Sequence, residues 1–146
     1  MSLRSLHLPA LLLTLFTFAS ACGSDDAAGG FDLDADPLVT ATSESGELEV
    51  EIRTAPQPPA KGLVAVRLQV ADAATGAPVD GLQIEVAPWM GSMGHGSNQV
   101  TATATGPGTY EASGVLFSMP GPWELRLTIA GSRSDSLVTS SFDVLP

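Results

Sequence analysis

The sequence predicts an all-β domain, an immunoglobulin-like antiparallel β-sandwich of about seven strands. From about residue 46 onward, apolar and polar residues alternate in short segments, and Gly and Pro separate these segments at regular intervals. No window there has an amphipathic helical repeat of useful length. Seven such segments in about a hundred residues are typical of a sandwich, and a domain of this size buries enough apolar surface to be stable alone.

The first three predicted strands are separated by proline and glycine. Apolar residues occupy every second position of 48–53, and the proline-rich segment 55–59 ends this strand. The second strand, 63–70, places four valine or leucine side chains on one face. A turn follows at 72–81, where Gly and Pro supply the special backbone angles. The third strand then alternates over 82–86.

The remaining four strands complete the predicted sandwich. The fourth, 99–105, alternates threonine with valine and alanine. The fifth, 109–117, ends in three consecutive apolar residues, which predicts a β-bulge or a corner. The sixth, 123–129, has the clearest alternation, and the last strand lies within 134–145. Because the domain has no cysteine, its core must depend on the aliphatic faces and on Trp123.

The first 21 residues have the pattern of a secretory signal peptide, and the only cysteine, Cys22, follows them. Arg4 precedes a short apolar run at 10–18, and the small residues 19–21 follow that run. This arrangement resembles the lipobox of bacterial lipoproteins, in which the cysteine becomes the lipidated first residue. The resemblance implies attachment to a membrane through lipid on Cys22. An ordinary secreted protein cut near residue 21 is the alternative.

Residues 22–46 are predicted to form an acidic, flexible tether. This segment has six carboxylates, no basic residue and few large apolar groups, so it buries too little to offset its conformational entropy. A cation-binding tail is the alternative. The net charge of the whole chain is −10, which argues against nucleic acid as a partner and against electrostatic adhesion to anionic lipid. We expect a lipid-anchored protein of the bacterial cell envelope, on the periplasmic face or at the cell surface.

Removal of the signal peptide leaves three methionines and one histidine, all in one part of the chain. We call them the Met/His cluster; its members are Met90, Met93, His95 and Met119. Thioether and imidazole donors favour copper, especially Cu(I). The third and sixth strands of such a sandwich are antiparallel neighbours, so segments 89–95 and 119–123 are expected at one rim. The sequence therefore predicts a copper site there.

A structural role is the alternative for the same side chains. Met90 and Met119 would fill the open end of the sandwich, Met93 would lie on the surface, and His95 would cap a turn. An enzyme is not expected, because His95 is the only histidine after the signal peptide and the domain lacks a cysteine nucleophile. The spacing of His, Asp and Glu also matches no zinc site.

Five segments resemble the YtkA-like domain in order and spacing. They are Thr-Gly-Ala-Pro-Val at 75–79, Met-Gly-Ser-Met-Gly-His-Gly at 90–96, Gly-Thr-Tyr at 108–110, Phe-Ser-Met-Pro-Gly at 117–121 and Trp-Glu-Leu at 123–125. Such domains are small extracytoplasmic β-sandwiches, related in outline to the FixH-type proteins found near copper-handling and cytochrome oxidase assembly systems. The resemblance implies this fold for residues 47–146 and, less directly, copper binding or delivery. A noncatalytic adhesion or scaffold domain that binds a protein partner is the alternative.

Overall fold

Ten strands make up the domain in the computed structural model, which describes residues 30–146. They are β1 (Val39–Thr42), β2 (Leu48–Ala55), β3 (Gly62–Asp72), β4 (Leu82–Met90), β5 (His95–Gly96), β6 (Val100–Gly106), β7 (Thr109–Phe117), β8 (Gly121–Gly131), β9 (Asp135–Val138) and β10 (Phe142–Val144). The all-β, antiparallel prediction is confirmed. The signal peptide, Cys22 and the first part of the tether lie outside the described residues.

The predicted number of about seven strands was too low, because three short strands lack a clear pattern. β1 lies in the segment that the sequence analysis assigned to the tether, and β5 has only two residues. The last predicted strand is two strands, β9 and β10, which residues 139–141 separate. In these short elements the pairing with longer neighbours fixes the strand, because too few residues are present for an alternation to be visible.

The strands form one continuous antiparallel sheet, where the sequence analysis expected two sheets packed face to face. Its order is β1-β2-β3-β7-β6-β4-β8-β10, with β5 on β4 and β9 on β8. β6 joins the two halves, because Val100–Ala102 pairs with β4 and Thr103–Gly106 pairs with β7. The sheet is therefore curved into a nearly closed barrel.

Two sets of hydrogen bonds nearly close the barrel between its first and last strands. At one end the Glu44 N–H, just after β1, donates to the carbonyl of Ser136 in β9 over 2.9 Å. At the other end the Lys61 N–H donates to the Leu145 carbonyl over 2.8 Å, and the Leu145 N–H donates to the Pro59 carbonyl over 2.9 Å. The chain thus leaves little of its sheet edge open to solvent.

Part of the acidic segment before β1 packs on the outer face of the sheet. The Phe31 ring lies over the Arg67 guanidinium on β3, with 4.4 Å between the ring centroid and Cζ. The Asp36 carbonyl accepts a hydrogen bond of 2.8 Å from the Gln57 side chain. The Leu38 N–H already donates to Ile52 on β2. Residues 31–38 therefore contact the domain that the sequence analysis expected to begin at residue 47.

The core consists of the inward faces of the long strands and four aromatic rings, those of Tyr110, Phe117, Trp123 and Phe142. Trp123 is 1% exposed, and its ring packs edge-on against Phe117 with 5.4 Å between centroids. Trp123 therefore occupies the core position that the sequence predicted. Tyr110 is also buried, and its hydroxyl donates to the Val79 carbonyl and accepts from the Leu82 N–H. This tyrosine ties the loop before β4 to β7.

Candidate functional site

The Met/His cluster begins at the end of β4, where the inward alternation of that strand continues to its last residue. Residues 82, 84, 86, 88 and 90 are all buried, and Met90 is only 3% exposed. The predicted strand ended at residue 86. Continuing the same alternation through Pro88 would have predicted from the sequence that Met90 faces the core.

A short hairpin carries the next two members of the cluster. Met90 and His95 are direct partners in the antiparallel β4–β5 pair. The Met93 and Gly94 N–H groups both donate to the Met90 carbonyl, over 3.1 and 3.0 Å. Gly94 has a φ of 68°, which glycine adopts without strain. Side chains of direct antiparallel partners lie on the same face, about 5 Å apart at Cβ, so His95 is adjacent to Met90.

The segment that begins at Met119 lies beside this hairpin, because β4 and β8 pair from Leu82 to Trp89. Trp89 is the register partner of Glu124 in that pair. The Met90 Cε lies 3.6 Å from the position that a Cβ on Gly121 would occupy. Met119 is partly buried against the core, and its carbonyl accepts a 3.0 Å hydrogen bond from the Trp123 indole. The structure thus brings segments 89–95 and 119–123 together.

The four side chains differ in their access to solvent. Met90 is part of the core and Met119 packs against it, whereas Met93 is 58% exposed at the tip of the hairpin. His95 is also exposed, and its Nδ1 lies 3.3 Å from the Gly96 carbonyl oxygen. In the tautomer with hydrogen on Nδ1, this contact orients the ring and leaves the Nε2 lone pair for a ligand.

Trp89 lies on the outer face, and the Arg126 side chain covers it. The Arg126 Cζ is 4.0 Å from the ring centroid, and the guanidinium also donates to Glu124 over 2.9 and 3.0 Å. A Cβ on Gly96 would lie 2.7 Å from the Pro88 carbonyl and 3.2 Å from Trp89 Cε3. Glycine is therefore required where β5 crosses the indole. No pattern in the sequence predicts this contact of Trp89 with Arg126.

Asn98 holds the segment after β5 against the free edge of β7. Its Nδ2 donates to the Gly114 carbonyl over 2.7 Å, and its Oδ1 accepts from the Leu116 N–H over 2.9 Å. The Ser97 hydroxyl donates to the Leu116 carbonyl. Two polar side chains thus satisfy backbone groups that a neighbouring strand would otherwise bind. Hydrophobic periodicity does not reveal this role, because the role depends on a polar side chain that makes the hydrogen bonds of a neighbouring strand.

Within residues 30–146 no group of three or more His, Cys, Asp or Glu side chains is arranged to hold a metal ion. Thioether sulfurs are not among those donors, so the finding concerns oxygen, imidazole and thiolate sites. No helix of the described part is long and apolar enough to cross a membrane.

The two ends of the barrel differ sharply in charge. The neutral end, which carries the cluster, consists of loops 56–60, 91–94 and 118–122, and none of these loops has an ionisable side chain. The acidic end consists of segments 43–47, 72–81 and 131–135. Its charged residues are Glu44, Glu47, Asp72, Asp80, Asp135 and Arg133.

Two carboxylates at the acidic end are held in their charged form. The Arg133 guanidinium, 2.7 Å from Asp72, and the hydroxyl and N–H of Thr75 lower the pKa of Asp72 to about 2. The hydroxyls of Ser43 and Ser45 lower the pKa of Asp135 to about 2. Hydrogen bonds to a carboxylate stabilise its charged form. These groups join β1, β3 and β9 rather than form a reactive site.

Comparison with known proteins supports the identification of the family. The family model described as YtkA-like matches residues 42–128. This range includes all four members of the Met/His cluster and the strands that position them. Searches among curated proteins and among solved structures found no match to the chain. The chain belongs to the YtkA-like family.

Proposed function

We propose that this protein is a lipid-anchored, extracytoplasmic domain that binds Cu(I) at its neutral end and releases it to a partner. The observation that carries the proposal is the pairing of Met90 with His95 on one face, beside the segment that begins at Met119. Three thioethers and one imidazole are neutral donors of the kind that soft Cu(I) prefers.

The exposures suggest a division of roles among the donors. Met93 and His95 lie in solvent at the hairpin, so they are the donors that an incoming ion would meet first. Met119 is partly buried beside them, and Met90 lies below in the core. Thioethers need no deprotonation before they bind a metal, so binding by the methionines would not depend on pH as a thiolate site does.

Titration of the chain from residue 22 onward with Cu(I) under reducing conditions tests this proposal, with Cys22→Ser in every variant because a free thiol would itself bind Cu(I). We expect one ion per chain, and at least roughly a tenfold loss of affinity in Met93→Leu and in His95→Ala, since losing even an outer-shell partner costs that much. Ser92→Ala is the matched control, because it changes the same loop without removing a soft donor. Absence of Cu(I) binding by the unmodified chain would refute the proposal.

The burial of Met90 favours the second candidate function, a noncatalytic scaffold domain that binds a protein in the envelope. In that case the buried methionines only fill the core. Met90→Leu keeps volume and apolar character, so it should leave the fold intact. The scaffold function is supported if Met93→Leu and His95→Ala leave Cu(I) binding unchanged. The copper function is supported if both variants weaken Cu(I) binding and Met90→Leu weakens it less.

Anchoring through lipid on Cys22 is a separate part of the proposal, and it rests on the sequence that precedes the described residues. A cysteine directly after a signal peptide, in a chain with no other cysteine, supports it. In a bacterial host, labelled palmitate should be incorporated into the unmodified chain and not into Cys22→Ser. Anchoring would be contradicted if the unmodified chain and Cys22→Ser were labelled equally, or if equal fractions of the two were found in the soluble fraction.

A further inference from the structure

Exposed apolar side chains are concentrated at the neutral end. Five large apolar side chains are exposed in the described part of the chain, and three belong to this end: Leu63 at 71%, Met93 at 58% and Leu145 at 46%. Leu63 is the second residue of β3, and backbone hydrogen bonds from Leu145 to Pro59 and from Lys61 to Leu145 hold the C-terminal segment there. The end whose loops lack ionisable side chains is thus also the end with accessible apolar surface, and the charged residues beside it are Asp36, Lys61 and Asp143.

Lys61 adds a positive charge at the border of this surface. It is the only lysine of the chain. Within residues 30–146 it forms no salt bridge, whereas Arg53, Arg67, Arg126 and Arg133 each pair with a carboxylate. A lysine beside apolar side chains is suited to a lipid interface, because its stem is apolar and its ammonium group reaches the phosphates.

The tether limits how far this surface can be from a membrane. Gly30 is the eighth residue after Cys22, so an extended chain between them spans about 30 Å at most. Phe31 then packs on Arg67, in the middle of β3, and Leu63 lies four residues along the same strand. Either end of the barrel is therefore within reach of a bilayer to which Cys22 is attached.

We infer that the neutral end docks on the surface of the bilayer that anchors the chain, with Leu63, Leu145 and Met93 at the lipid interface. This inference rests on the lipid anchoring proposed above. The charge difference favours this orientation, since the acidic end has five carboxylates against one guanidinium, whereas Asp36, Asp143 and Lys61 are the charged residues beside the neutral end. Anionic headgroups therefore repel the acidic end more strongly. The net charge of −10 opposes electrostatic adhesion of the whole chain, so apolar contact supplies the attraction.

A weak contact is sufficient for such docking, because the anchor makes it intramolecular. A short linker to an anchor gives an effective concentration of roughly millimolar. A surface that would not bind free vesicles measurably can therefore still set the orientation of an anchored chain. The open side of the Met/His cluster then lies toward the membrane rather than toward the aqueous compartment.

Fluorescence quenching on vesicles tests the orientation without depending on natural lipidation. The purified chain from residue 22 is coupled through Cys22 to a maleimide lipid in vesicles of phosphatidylcholine and phosphatidylglycerol whose acyl chains carry bromine. Leu63→Trp places a probe at the neutral end, and Ala74→Trp places a matched probe at an exposed position of the acidic end. The emission of Trp89 and Trp123 in the parent chain is subtracted.

We expect strong quenching of the Leu63→Trp probe and no quenching of the Ala74→Trp probe. Leu145→Trp is a second probe at the neutral end, in case the first variant does not fold. Equal quenching of the tryptophan probes at the two ends overturns the inference, and so does the absence of quenching at both ends. Absence of quenching at both ends is also the result expected if a protein partner, rather than the bilayer, binds the neutral end. Because lipid is attached chemically and no copper is present, failure here is distinct from failure of the proposed function.

Discussion

At the scale of single residues, two buried threonines on the sheet have opposite hydrogen-bonding states. Thr54 on β2 is 1% exposed, and its hydroxyl has no hydrogen-bond partner within the described residues. Thr139, just after β9, is 4% exposed, and its hydroxyl oxygen accepts a 2.9 Å hydrogen bond from the Leu125 N–H. A buried polar group without a partner destabilises the folded state, whereas one with a partner does not.

Replacing each threonine with the isosteric valine should therefore change stability in opposite directions. Thr54→Val is expected to raise the free energy of unfolding by about 1 kcal/mol, because it removes an unsatisfied hydroxyl. Thr139→Val is expected to lower it by about 1–3 kcal/mol, because it leaves the Leu125 N–H without an acceptor. Urea denaturation measures both. A loss of stability in Thr54→Val equal to that in Thr139→Val would indicate that Thr54 has a partner such as a buried water.

At the scale of elements, the hairpin of the Met/His cluster depends on a side chain that lies outside any strand. Asn98 replaces a neighbouring strand along part of β7, with one donated and one accepted hydrogen bond. His95 lies three residues before it, and two residue pairs join β5 to β4 on the other side. The position of His95 is therefore fixed from both sides.

Asn98→Ala should loosen this attachment, while Asn98→Asp should retain half of it. The alanine variant loses both hydrogen bonds, so amide hydrogen exchange at Leu116 is expected to accelerate. The aspartate variant keeps an acceptor for the Leu116 N–H and loses only the donor to the Gly114 carbonyl. Exchange measured by NMR should place Asn98→Asp between the parent and Asn98→Ala. Unchanged exchange in Asn98→Ala would show that the edge of β7 is protected in another way.

The elements also show which parts of the fold and site could be predicted from sequence. The long strands were predicted because alternation reports a face buried along many residues, as in β3 and β8. The contact of segments 89–95 and 119–123 followed from the pairing of two such strands. The single curved sheet could not be predicted, because it depends on β6 changing partners between Ala102 and Thr103, and alternation within a strand does not identify its neighbours.

At the scale of the whole molecule, the acidic end should make the barrel sensitive to low pH. Asp72 and Asp135 have a pKa of about 2 in the folded chain against an ordinary value of 3.8. A pKa lowered by folding contributes stability that is fully present above pH 3.8 and is lost as the pH falls through about 2. Protonation weakens the contacts of β1 and β3 with the segment around β9.

Thermal unfolding between pH 5 and pH 2, in steps of roughly half a unit, tests this linkage. The midpoint temperature of the parent chain should fall over the lower part of this range, and it should fall less steeply in Asp72→Asn and in Asp135→Asn. Asp143→Asn is the control, because the exposed Asp143 side chain on β10 makes no hydrogen bond within the described part. If the midpoint temperature of either variant fell with pH as steeply as that of the parent, the carboxylate replaced in that variant would not be a source of the acid sensitivity.

Because the barrel closes through its first and last strands, the folded domain is longer than the region that matches the family. The family match ends at residue 128, whereas Leu137, Phe142 and Val144 in β9 and β10 are buried and pair with or pack beside β8. At the start, Val39 lies before the match and is also buried. A fragment cut at the limits of the match would expose the edge of β8 and part of the core, which promotes aggregation. Deletions designed to isolate this domain should therefore retain residues 31–145.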